Sequence, residues 1–234
     1  IDLSAKFFNR NLKNLIRRLD CYLRLLIFPH MTVHRLINGF KAFREEYYHF
    51  QPNFYRNLVE NGQHPKTMVI ACSDSRVNPS IISKADPGEL FIVRNVANLV
   101  PPYAPDGSYH GTSAAIEFAV RDLKVEDIIV LGHSHCGGIQ VLCKEEPGKT
   151  TREFIRSWMS IVEEARDDSL EGDAQLRHVE REAVKVSLDN LRTFPWLKER
   201  LDKGDLVLHG WLFDLEVGEL FSVGDDGEWG SATA

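Results

Sequence analysis

The chain has 234 residues, 43% of them hydrophobic, which is enough apolar content for a buried core and argues against a disordered segment. A formal net charge of −6 excludes a general electrostatic attraction to nucleic acid or to an anionic membrane surface, so the expected partner is a small molecule. No uninterrupted apolar run reaches the roughly 18 residues of a membrane span and no secretory signal pattern occurs, so the chain reads as cytoplasmic.

Residues 1–30 form a basic amphipathic extension. Lys6, Arg10, Lys13, Arg17, Arg18 and Arg24 outnumber Asp2 and Asp20, while Leu12, Leu15, Ile16 and Leu19 recur at helical spacing. One reading is a helix lying on the body or on a partner subunit. The other is the remnant of an organelle transit peptide, against which the poverty in serine weighs; Met31 fits as an original start. One compact domain is expected over 31–225, followed by a polar, glycine-rich tail over 226–234.

From Val33 to Phe50 the apolar set Leu36, Ile37, Phe40 and Phe43 has helical period. Strands follow at Thr67 to Ala71 and Leu90 to Val93, then a helix over Ser113 to Leu123 and a strand over Ile128 to Gly132. The charged stretches Arg152 to Asp167 and Gln175 to Arg192 predict helices with solvated faces and little chemistry. Leu206 to Trp211 reads as a strand, and Leu212 to Glu216 with Glu219 to Val223, around Val217-Gly218, as a hairpin. This alternation predicts the α/β class: a mostly parallel four-stranded sheet with an added antiparallel C-terminal strand, flanked by helices, with an N-terminal helical arm. A site is expected at the carboxyl ends of the parallel strands.

Two such ends carry chemistry. Cys72-Ser73-Asp74-Ser75-Arg76 follows one apolar run, and His133-Ser134-His135-Cys136-Gly137-Gly138 follows another. If the two strands are neighbours, Cys72, His133 and Cys136 converge on one point. Two thiolates and an imidazole suit zinc, one ion per subunit, and three protein ligands leave a fourth position for water, whose pKa falls from about 15.7 toward about 7. The expected nucleophile is zinc-bound hydroxide. Asp74 has two open roles: a fourth ligand closing the site, or an ion-pair partner of Arg76 that accepts a hydrogen bond from the nucleophile, the role favoured at alkaline pH. Gly137 and Gly138 allow close backbone approach where a helix begins.

Taken singly, each element has a plainer explanation. Cys72 alone would be a core thiol, His133 with Cys136 alone is a weak half-site, and Asp74 with Arg76 alone a surface pair. His135 is read as a residue beside the site, and Cys21 and Cys143 as unligated thiols. Four cysteines are too few and too irregularly spaced for a disulfide scaffold.

Together the two motifs resemble the signature of the β-class carbonic anhydrases. The resemblance extends through Pro87-Gly88-Glu89-Leu90-Phe91-Ile92-Val93-Arg94-Asn95-Val96-Ala97-Asn98, through Ala114 to Val120 and His209-Gly210-Trp211, covering roughly Val33 to Val223. It implies reversible hydration of carbon dioxide to bicarbonate and a proton, with zinc on Cys72, His133 and Cys136 and a catalytic pair Asp74 and Arg76. It further implies that Gln63 binds substrate, that Phe91 and Val96 form an apolar pocket wall, and that the Gly137 amide contacts bicarbonate. Phe118 stands where the family often has tyrosine. A homodimer or larger homo-oligomer, with active sites at the subunit interface and N-terminal helices wrapping the neighbour, is also implied.

Other classes are a carbon disulfide or carbonyl sulfide hydrolase on the same ligands, and a non-catalytic zinc-stabilised assembly protein with Asp74 on the metal. A thiol redox protein fits least, since no Cys-x-x-Cys pair occurs.

Overall fold

A computed structural model of the chain describes residues 33–144 and 152–233. The basic extension 1–30, Cys21 and Met31 lie outside the described residues. The chain divides between Gly62 and Gln63 into two compact units.

In the first unit, helix α1 (Val33–Arg44) runs into a wider π-helical stretch, Glu45–Phe50, followed by α2 (Phe54–Asn61). Phe40, Phe43, Tyr47, Tyr48, Phe54 and Tyr55 pack on one another with ring centroids 5.0 to 6.3 Å apart. Val33, Leu36, Ile37 and Phe40 of α1 remain exposed.

The second unit is built on β1 (Thr67–Cys72), β2 (Leu90–Asn95), β3 (Asp127–His133), β4 (Val207–Phe213), β5 (Leu220–Val223) and β6 (Trp229–Ser231). Their order in the sheet is β2-β1-β3-β4-β5-β6. The first four are parallel and the last two antiparallel, so the expected sheet and hairpin are present. The sheet also takes in β6, within the stretch read as a polar tail. There the Arg181 guanidinium lies 5.9 Å from the rings of both Phe221 and Trp229, which ties one aromatic of the tail to the body.

β1 and β3 are almost continuous apolar runs because parallel strands with helices on both faces have no wet side. Met68, Ile70, Ile128 and Val130 face one core layer and Val69, Ala71, Ile129 and Leu131 another. Into the first layer pack α4 (Gly111–Glu117, continued by a π-helical turn to Asp122) and α7 (Gly172–Arg192). Helices α3 (Pro79–Ser83), α5 (Gly137–Lys144), α6 (Ile155–Met159, then a tighter turn to Ala165) and α8 (Pro195–Lys203) complete the unit. Sequence periodicity did not reveal α2, α3 or α8; α3 and α8 are short elements set by capping, with Asn78 accepting from the Ser80 amide before α3 and Pro195 opening α8. Among the described residues no helix is long and apolar enough to cross a membrane.

The long helix α7 lies against β3 and β4 through two glycines. A Cβ on Gly132 would meet Val184 Cγ2 at 2.6 Å, and one on Gly210 would meet Val223 Cγ1 at 2.5 Å and Leu188 Cδ1 at 2.8 Å. Gly210→Ala is therefore expected to overpack this contact and destabilise the fold by about 1 to 3 kcal/mol. Urea denaturation checks it: an unchanged midpoint would show that α7 can move away freely.

Candidate metal centre and active site

Parallel pairing of β1 with β3, Ala71 opposite Leu131, brings Cys72 and His133 side by side at the carboxyl edge of the sheet. The turn after β3 then returns Cys136 to the same point. One ligand atom from each of the three residues lies within 4.8 Å of the others, and the two sulfurs are 4.0 Å apart. That is far beyond a disulfide bond but close to the roughly 3.8 Å separating two sulfurs on one tetrahedral zinc with Zn–S near 2.3 Å. All three side chains are buried.

His133 is poised as a ligand. Its Nδ1 lies 2.9 Å from the Ser134 carbonyl, which can only accept, so Nδ1 carries the proton and Nε2 offers a lone pair. That Nε2 is buried with no hydrogen-bond partner. An orphaned nitrogen beside two thiols is the donor set that zinc fits.

Backbone geometry serves the sulfurs. The Cys136 thiol 4.0 Å away, and then the amides of Asp74 and Ala97, pull the Cys72 thiol well below its ordinary pKa. Cys136 is pushed up, first by the same contact with Cys72 and then by burial. Two buried thiols this close repel each other as thiolates, and a nearby cation would offset that repulsion. To aim its amide, Ala97 takes a left-handed conformation, φ 62°, followed by Asn98 at 50°. The turn is pinned by Asn95, which bonds Leu99 at both its amide and carbonyl and donates to Thr112, and by Trp158 Nε1 donating to the Val96 carbonyl.

Asp74 does not join the cluster. Its Oδ1 accepts from the Arg76 amide and Nε, both at 2.9 Å, and its Oδ2 from Arg76 Nη2 at 2.7 Å. Arg76 Nη2 also donates to the His135 carbonyl at 3.0 Å. The Arg76 side chain, foremost by hydrogen bonding, holds the Asp74 carboxyl well below the usual carboxylate range. Asp74 is thus paired with Arg76, the contact that the second of its two expected roles requires. His135 pairs through Nε2 with Glu216 at 2.6 Å and is not a ligand; Cys143, partly buried, has no place in the cluster.

The remaining expected residues are distributed unevenly. Val96, at the carboxyl end of β2, lines an open cavity of about 760 Å³ with Asn95, His110, Thr112 and Trp158. It can sit there because a Cβ on Gly138 would meet Val96 Cγ1 at 2.7 Å. Gly137 opens α5, exposed and with nothing near a hypothetical Cβ. Phe91 lies at the other end of β2, its ring 5.8 Å from that of Phe118. Gln63 is exposed in the segment entering β1, whose six residues span about 20 Å to the metal ligands.

The family model described as carbonic anhydrase matches residues 67–220, from the start of β1 to the start of β5. The chain belongs to the β-class carbonic anhydrases. A carbonic anhydrase of Synechocystis is 37% identical over 194 residues, covering 80% of this chain and 70% of that one. Among solved structures, the β-carbonic anhydrase CcaA superposes with a TM-score of 0.77 at 34% identity, covering 86% and 92% of the two chains. One of two tetrameric β-carbonic anhydrases from Sordaria macrospora gives 0.73 at 28% identity, covering 82% and 96%.

Two contributors to this β-carbonic anhydrase site lay outside the sequence reading. Arg94 donates to the carbonyls of Cys72, Asp74 and Val77 at 2.8, 2.6 and 2.8 Å, shaping the loop after β1. Glu180, in a helix read as carrying little chemistry, is 3% exposed and accepts from the Cys136 amide at 2.8 Å. Arg94 stood inside the family-like run; Glu180 gave no signal beyond its place in a helical period.

A depressed carboxyl contributes stability that is present above its unfolded pKa, about 3.9, and is lost as pH falls through its lower folded value. Asp74→Asn is expected to lower the stability of the metal-free protein by about 1 kcal/mol between pH 5 and 8, the difference closing below about pH 4. Parallel urea titrations read it; a difference that grows on acidification would contradict the ion pair.

Proposed function

We propose that this protein hydrates carbon dioxide reversibly to bicarbonate and a proton, using one zinc ion per subunit held by Cys72, His133 and Cys136. The observation carrying this reading is the buried cluster of two thiols and an unpartnered imidazole nitrogen beside a carboxylate turned away by an arginine. Zinc bound there supplies a Lewis acid that brings the ionisation of water into the neutral range.

The chain's own residues do the rest. Asp74, kept ionised by Arg76, is an acceptor-only group and orients the attacking oxygen by taking a hydrogen bond from it. Val96 offers an apolar wall suited to an uncharged substrate and to excluding bulk water, while Phe91, at the far end of β2, would serve such a pocket only from a neighbouring subunit. The Gly137 amide and the Gln63 side chain bind oxygens of bicarbonate as charge develops on it.

Gln63 enters from the sheet edge opposite the metal ligands, so in this reading a neighbouring subunit supplies it. A homodimer or larger homo-oligomer is further supported by the exposed apolar stripe of α1 and by the tetrameric relatives from Sordaria. We place the enzyme in the cytoplasm, or in an organelle if residues 1–30 act as a transit segment.

Stopped-flow hydration on protein of measured zinc content tests the reading. The rate is expected to rise from neutral to alkaline pH and to scale with zinc; full zinc occupancy with no hydration would sink it. Cys72→Ala, His133→Ala and Cys136→Ala should each lose both metal and activity. Asp74→Asn should keep its zinc while turnover falls on the order of 100-fold, and an unchanged rate would reduce the pair with Arg76 to a structural tie.

A further inference from the structure

Glu180 is the one buried carboxylate among the described residues, on a helix whose other acids are more exposed. A charge withdrawn from water persists only where hydrogen bonds replace its hydration. Here one comes from the metal loop: the Cys136 amide donates to Glu180 Oε1 at 2.8 Å. That amide is turned inward by the residue before it, since His135 takes the left-handed conformation, φ 57°.

The same turn has a second face. The carbonyl of His135 accepts from Arg76 Nη2, the nitrogen that also grips Asp74 Oδ2. The strained turn between His133 and Cys136 therefore carries a ligand on either side and the anchor of the Asp74 pair in its middle. We propose that Glu180 is a positioning residue that holds this turn in its left-handed shape, and through it fixes both Cys136 against the metal and Arg76 against Asp74. It touches neither substrate nor metal.

The inference rests on the zinc reading above for the identity of the ion. Zinc-loaded wild type, Glu180→Ala, Glu180→Gln and Leu191→Ala are challenged with excess chelator, and release is followed with a colorimetric zinc indicator alongside melting temperature. Leu191 is fully buried in the core of the same helix, which makes its variant the control for simple destabilisation. Glu180→Ala is expected to release zinc at least about 10-fold faster than wild type, and Glu180→Gln, which keeps an acceptor oxygen, to recover most of that loss. Leu191→Ala should stay near the wild-type rate. In the cobalt(II)-loaded proteins the visible absorption, which reports the ligand set, should change for Glu180→Ala alone.

Equal release from Glu180→Ala and a Leu191→Ala protein of similar melting temperature would overturn the proposal, leaving Glu180 as core support only. Release from Glu180→Gln as fast as from the alanine variant would overturn it too, since the acceptor would then not be what holds the turn. Wild type that takes up no zinc is a distinct result and sinks the zinc reading itself.

Discussion

Two thiols and an imidazole held within 4.8 Å of one another in the interior form an arrangement that hydrogen bonding among themselves cannot satisfy. One imidazole nitrogen has no donor, and it and the two sulfurs are shut away from water that would otherwise compensate. The arrangement survives because the parallel register of β1 and β3 imposes it. Those strands are apolar almost throughout, so slipping either by one residue would turn its side chains to the wrong layers. Sheet energetics therefore hold the three side chains together, and a metal ion would answer a demand that folding has already created.

The same economy places strain. Left-handed residues other than glycine occur at Ala97, Asn98 and His135, all beside the metal cluster, as well as at Lys84 and Lys124 in loops. At Ala97 the unusual backbone turns an amide toward the Cys72 sulfur; at His135 it turns the following Cys136 amide toward Glu180 and the His135 carbonyl toward Arg76. Local conformational cost is concentrated where hydrogen bonds to ligands are gained, and the surrounding ties of Asn95, Trp158 and Arg76 keep it from relaxing.

Much of this was legible from residue order. Period and composition revealed β1, β2, β3, β4 and the hairpin because parallel strands are marked by unbroken apolar runs and the hairpin by Val217-Gly218. The ligand trio followed from thiols and an imidazole standing immediately after two such runs. Glu180 was not legible, because a helical period assigns a face but not what a remote loop presents to it. Nor was β6, a three-residue strand in a polar stretch that pairs with β5 and sets Trp229 beside Arg181 of α7. The wider winding after Arg44 and after Glu117 was hidden for a related reason: the apolar period continues while the turn it sits on changes.

Arg94 gives the loop after β1 a property beyond its shape. One planar guanidinium reaches three carbonyls, at Cys72, Asp74 and Val77, so the loop is already tied before any ion arrives. A metal site assembled this way has little chain entropy left to lose on binding, unlike small domains that fold around their zinc. A metal bound there would meet a framework that folding alone has already erected, so its removal would leave the loop tied rather than start the chain unfolding.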